Sequence, residues 1–133
     1  MDNIGLVEYW INSSNDDYDT MQVMFKSKKN TWALFLGHLV IEKLLKGLYA
    51  KRNADNPYVI KSHNLLQLAE KCNLALTDEQ IAKLQIITQF NISARYDDYK
   101  ESFRQKCTDE YTSEQIENIE GVRTWLKELL IIE

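Results

Sequence analysis

Lys43, Lys46, His63, Asn64, Arg95 and Tyr96 are the residues from which this chain could assemble a site for an anionic ligand. Lysine and arginine neutralise phosphate, a guanidinium grips it through a planar fork, and a phenol ring stacks on a base. Lys61, Ser62, His63 and Asn64 run together ahead of an apolar segment. They place two donors and a cation at a helix start, where free backbone N–H groups favour negative charge. The same residues read equally well as a capping segment with a solvent-exposed histidine. Arg95 and Tyr96 follow a helical apolar pattern. The arginine therefore either satisfies the last carbonyls of that helix or joins the phenol in holding phosphate and base.

Other chemistries find little material. Gly5, Gly37, Gly47 and Gly121 permit neither GxGxxG nor GxxxxGK[ST], so Rossmann and P-loop motifs are absent. Asn15, Asp17 and Asp19 imitate the start of a calcium loop, but Thr20 replaces the turn glycine and Lys26 stands where the bidentate glutamate belongs. Neither His38 nor His63 has a glutamate three residues before it, as a ferritin-like metal site requires, and there is no HExxH. No metal or cofactor is expected. Cys72 and Cys107 read as buried, inert thiols rather than nucleophiles, a disulfide or a zinc site, and His38, inside an apolar run, reads as a satisfied core histidine.

The chain has 133 residues, 44% of them apolar and 27% charged, which suits one domain over residues 1–133 with a single core. Four glycines and one proline are too few for the turns of an all-β sandwich or barrel. The net charge of −4 hides a pattern: residues 1–25 carry five acids and no base, residues 26–71 nine bases and three acids, and residues 72–133 seven bases and twelve acids. A basic centre between acidic ends can focus an anion, or can simply be a solvated helix face. The acidic start is the wrong sign for a signal peptide. The longest apolar run, Trp32 to Ile41, is about half a membrane span. A cytoplasmic protein is expected.

Apolar spacing predicts the elements that must position these groups. A first helix runs from Asn3 to about Lys26, capped by Asp2 or Asn3, with Ile4, Val7, Ile11, Tyr18, Met21 and Phe25 in one phase broken only at Ser14. Its polar stretch Asn12 to Asp17 is expected on the outer face. A second helix, from Asn30 or Thr31 to Lys51, is apolar all round in its first half and should be the buried centre of a bundle. In its second half Glu42, Lys43, Lys46 and Lys51 should reach solvent or a ligand. Residues 52–61 form the longest connection. Ser62 caps a short third helix from His63 to about Cys72; Thr77 and Gln80 form a capping box for a fourth, ending near Ser93. A short helix from Lys100 to Cys107 follows, and a second capping box at Thr112 and Gln115 starts the last helix. Five or six helices with short connections make an all-α, up-and-down bundle.

Tyr9 and Trp10 in the first helix, then Ala33, His38 and the run Glu42 to Leu48 in the second, come in a distinctive order. Ser62, His63, Asn64, Leu65 and Leu68 in the third helix and Ala94, Arg95 and Tyr96 after the fourth complete it. In order and spacing the chain resembles the HEPN family of small helical, nucleotide-binding and RNA-cleaving domains. The resemblance implies a bundle of about five helices, a homodimer, and ligand groups near Lys46, His63 and Arg95. RNA-cleaving members carry an arginine followed four to six residues later by a histidine, which supply cation and acid or base. Here the only ordered pair, Arg52 and His63, is eleven residues apart, and Asp97 stands where the family often has proline.

The expectation is therefore a non-catalytic domain that binds a nucleotide or another phosphorylated ligand, beside a nucleotidyltransferase partner. Lys43, Lys46, His63, Asn64 and Arg95 would bind and Tyr96 would stack. A helical protein-interaction module without a small ligand, or a toxin-like ribonuclease using other residues, are the alternatives.

Overall fold

The computed structural model describes residues 3–59 and 61–132. Six helices follow one another among them: α1 Asn3–Lys26, α2 Asn30–Arg52, α3 Leu65–Lys71, α4 Asp78–Arg95, α5 Asp97–Lys106 and α6 Asp109–Ile132. The expected all-α bundle forms, and α2 is its axis. α1 folds back antiparallel along α2, while α3, α4 and α6 pack around it. This is why α2 lacks a broad polar face. Leu34, Ile41, Leu44, Leu45 and Leu48 are fully buried, and truncating any one of them to alanine removes about 2–5 kcal/mol.

The α1–α2 pairing explains the phase seen at Ser14. Its side chain is completely buried and its hydroxyl donates to the Val40 carbonyl at 2.8 Å, so the helix continues through the polar stretch. That stretch is not all outward, as the sequence suggested: Ser14 faces α2, and Asp17 pairs with Lys43. Asn15, Asp17 and Asp19 lie within the unbroken α1 helix, so the calcium-loop turn does not form. At the start of α1 the Asn3 amide reaches the Ala50 carbonyl; the alternative cap Asp2 lies outside the described residues.

Two glycines permit close helix approach. A Cβ on Gly37 would collide with Ile119 Cδ1 of α6, and one on Gly47 would sit 3.3 Å from Trp10 Cβ of α1. The α1–α2 turn closes with Lys28 at φ 64°, while Lys29 N–H reaches the Met24 carbonyl at 2.8 Å and Lys28 N–H the Phe25 carbonyl at 3.0 Å. This is a helix-terminating motif in which a lysine occupies the left-handed position that glycine usually takes.

Helix starts test the capping signals. Thr77 and Gln80 form the expected reciprocal box. The second expected box fails: Thr112 is buried inside α6, which begins at Asp109, and Thr108 Oγ1 accepts from Tyr111 N–H at 3.1 Å. Thr108 followed by Asp109 and Glu110 offers a hydroxyl and two acids for the first turn, and this earlier signal wins. Ser62 is likewise not the cap of α3. Asn64 Oδ1 accepts from Gln67 N–H at 3.0 Å, and Ser62 Oγ accepts from Asn64 N–H at 3.0 Å while donating to Gln67 Oε1 at 2.8 Å. His63 therefore precedes the helix instead of sitting in its first turn. The remaining helix limits differ from expectation by no more than about a turn.

Candidate functional site

Glu42 organises the polar centre. It was expected to reach solvent or a ligand, yet it is only 4% exposed in the packed bundle. A buried carboxylate must be paired. Its Oε2 accepts from Lys46 Nζ at 3.0 Å, one turn on, and its Oε1 accepts from His63 Nδ1 at 2.7 Å. Donation to a carboxylate oxygen places the His63 proton on Nδ1, on a side chain that is 58% exposed. The His63 carbonyl in turn accepts from His38 Nε2 at 2.8 Å. The His38 ring is fully enclosed, and burial lowers its pKa, so it is neutral at pH 7. Only one of its nitrogens is satisfied; Nδ1 is buried without a partner.

Lys46 extends from this cluster over the Trp10 ring, 5.1 Å from its centroid. Beyond it opens a cleft of about 270 Å³ lined by Trp10, Lys46, Pro57, Tyr58, Val59 and Lys61. The connector between α2 and α3 forms its outer wall, held by Val59 packing on the core. Tyr58 is 63% exposed, offering a ring face to the cleft mouth. Lys61 is exposed and meets no carboxylate among the described residues. Two ammonium groups and two aromatic rings thus surround one opening.

The other expected residues lie elsewhere. Lys43 is taken by Asp17 at 2.6 Å, in the α1–α2 seam. Asn64 is spent on the α3 cap. Arg95 and Tyr96 form their own corner at the end of α4: Arg95 donates to Asn91 Oδ1 at 3.2 Å, and its guanidinium lies 5.6 Å from the Tyr96 ring. Thr88, which accepts from Leu65 N–H at 3.0 Å, lies two turns before Arg95, roughly 10 Å along the helix. Within one chain, then, Lys46 and His63 converge on Glu42, and Arg95 with Tyr96 does not join them. A larger groove of about 330 Å³ runs between α4 and α5, but its one cation, Lys106, lies over the Tyr111 ring at 5.2 Å.

Trp10 and Tyr58 escaped sequence reasoning as ligand-site residues. Trp10 sits beside Lys46 only through the α1–α2 register, which no local pattern encodes. Tyr58, beside the only proline, was legible as loop and nothing more. The cysteines offer no nucleophile: the Cys72 thiol reaches the Leu45 carbonyl at 3.4 Å, and burial pushes the Cys107 thiol up to about 11. Among the described residues, no helix is long and apolar enough to cross a membrane.

Comparison with known proteins agrees with this architecture. The crystal structure of TT1696 from Thermus thermophilus matches with a TM-score of 0.76 at 17% identity, covering 92% of this chain and 97% of its own. At that identity the likeness establishes the fold. No curated protein matches the chain. The sequence profile of the HEPN domain matches residues 7–129, a span that runs from α1 into α6 and includes Trp10, the Glu42 cluster and Arg95, and the chain belongs to the HEPN domain family.

Proposed function

We propose that the Trp10–Lys46–Tyr58–Lys61 cleft binds a nucleotide, or another ligand joining a phosphate to a flat ring, and that the domain acts by binding rather than by catalysis. The observation that carries this reading is the meeting of Lys46 and Lys61 with Trp10 and Tyr58 around one opening. Lys46 is held in place by Glu42 through one of its three N–H donors and keeps others for phosphate. Lys61 supplies the uncompensated charge, His63 shares Glu42 with Lys46, and Tyr58 gives a face for the base. The absence of an arginine four to six residues before a histidine supports a non-catalytic role. Homodimerisation and a nucleotidyltransferase partner belong to the same proposal and rest on family membership.

Calorimetric titration with ATP, GTP and short RNA tests the reading. Binding by the wild type should weaken at least about tenfold in Lys46→Ala with Lys61→Ala, the loss of two charge-assisted contacts. No binding at millimolar ligand, or equal binding by the double variant, would overturn it.

A further inference from the structure

A second concentration of positive charge lies where α1 and α6 meet beside α2, and it shares no residue with the Trp10 cleft. Arg123 Nη2 and Lys127 Nζ, one turn apart on α6, both donate to Asn15 Oδ1 of α1, at 3.3 and 3.1 Å. Their heads therefore lie within two hydrogen-bond lengths of each other, around an acceptor that carries no net charge. Of the nearby acids, Asp17 pairs with Lys43 at 2.6 Å, and Glu120 accepts from Tyr18 at 2.7 Å. Among the described residues, no carboxylate forms an ion pair with Arg123 or Lys127.

The arrangement is held rigidly. The guanidinium lies over the Tyr18 ring, 3.7 Å from its centroid. Its Nε is buried and has no hydrogen-bond partner. Orphaned buried donors in native proteins call for an explanation, and an ion or water is the usual one. Like charges one helical turn apart also repel. Burial and the neighbouring Arg123 push the Lys127 ammonium pKa down. An oxyanion accepting from the terminal N–H groups of Arg123 and from Lys127 offsets both charges.

We propose that Arg123 and Lys127 form a site for a compact oxyanion, a phosphate group, which bridges α1 and α6 beside Asn15. The phosphate is free inorganic phosphate or is carried on a larger molecule.

Thermal melting of the full chain in inorganic phosphate, against chloride at matched ionic strength, tests this, with ATP as a separate arm. The wild type and Lys46→Ala should both gain about 5 °C at tenfold excess over Kd. Arg123→Gln with Lys127→Gln should gain nothing. Asn15→Asp places a carboxylate between the cations, so it should melt above the wild type without phosphate and respond no further to it. The same pattern with ATP alone would identify a carried phosphate at this site. Equal melting of the wild type in chloride, phosphate and ATP would overturn the proposal. So would an undiminished gain in the double variant or, should that variant fail to fold, in Asn15→Asp. Loss of calorimetric ATP binding in Lys46→Ala with Lys61→Ala, with this phosphate response intact, separates the two sites.

Discussion

Glu42 serves Lys46 through one oxygen and His63 through the other, whereas Asn15 offers Arg123 and Lys127 a single neutral oxygen to share. Both clusters tie neighbouring elements onto α2 or across it, and both use groups one helical turn apart. The difference lies in burial and charge. At Glu42 the acid is enclosed, and an unpaired charge there is untenable, so the protein supplies Lys46 as counter-charge and His63 as a second donor. At Asn15 the cations are only partly covered, and their balance is left to something from outside. A buried polar cluster thus reports on stability, and an unbalanced, half-buried one reports on a ligand.

Substitutions can break this contrast, beginning with the enclosed cluster. Glu42→Gln should cost about 3 kcal/mol in urea unfolding, because it strips Lys46 of its buried partner. Gly37→Ala comes next, at about 2 kcal/mol, since its Cβ displaces Ile119 and lifts α6 from α2. The same lift should carry Arg123 and Lys127 away from Asn15 and blunt the phosphate response, which links the two measurements.

The pH dependence sharpens the contrast further. His38 has its pKa lowered in the fold, chiefly by burial. The unfolded chain therefore binds its proton more readily, and stability falls as pH drops below the ordinary histidine value near 6.5, down to the depressed folded one. Urea unfolding between pH 7 and 5 should show this loss, and His38→Gln should flatten it. Lys28→Gly, remote from the Glu42 cluster, should yield the smallest change, a net gain under about 1 kcal/mol. Relief of a left-handed lysine is partly offset by loss of the exposed Lys28–Asp109 pair.

Much of the fold was legible because it is written in local signals. The period from Ile4 to Phe25 carried α1 through Ser14, and the apolar run from Trp32 located the central helix. Capping was legible only where one candidate stood alone. Thr77 did, whereas Thr108 competed with Thr112 and Asn64 with Ser62, and the backbone chose the better-placed side chain. The candidate site was less legible because it depends on register between distant segments. Glu42 reads as facing solvent or a ligand on a helical wheel and becomes buried only in the packed bundle. Lys46 and His63 were readable as cations and donors, but nothing local says that they share a carboxylate. Arg95 and Tyr96 were readable as neighbours, and neighbours they are, at a different corner.

The three indole N–H groups offer the most direct test of where a nucleotide sits. Trp10 lines the cleft with Lys46 and Lys61, Trp32 lines a groove with Arg104 near the end of α4, and Trp125 lies on α6. In a proton–nitrogen correlation spectrum titrated with ATP, the Trp10 indole should shift with the amides of residues 58–63 while the Trp32 indole stays in place. Movement of Trp32 with Arg95 and Tyr96 and a still Trp10, or no movement at millimolar ATP, would contradict the assignment of the cleft.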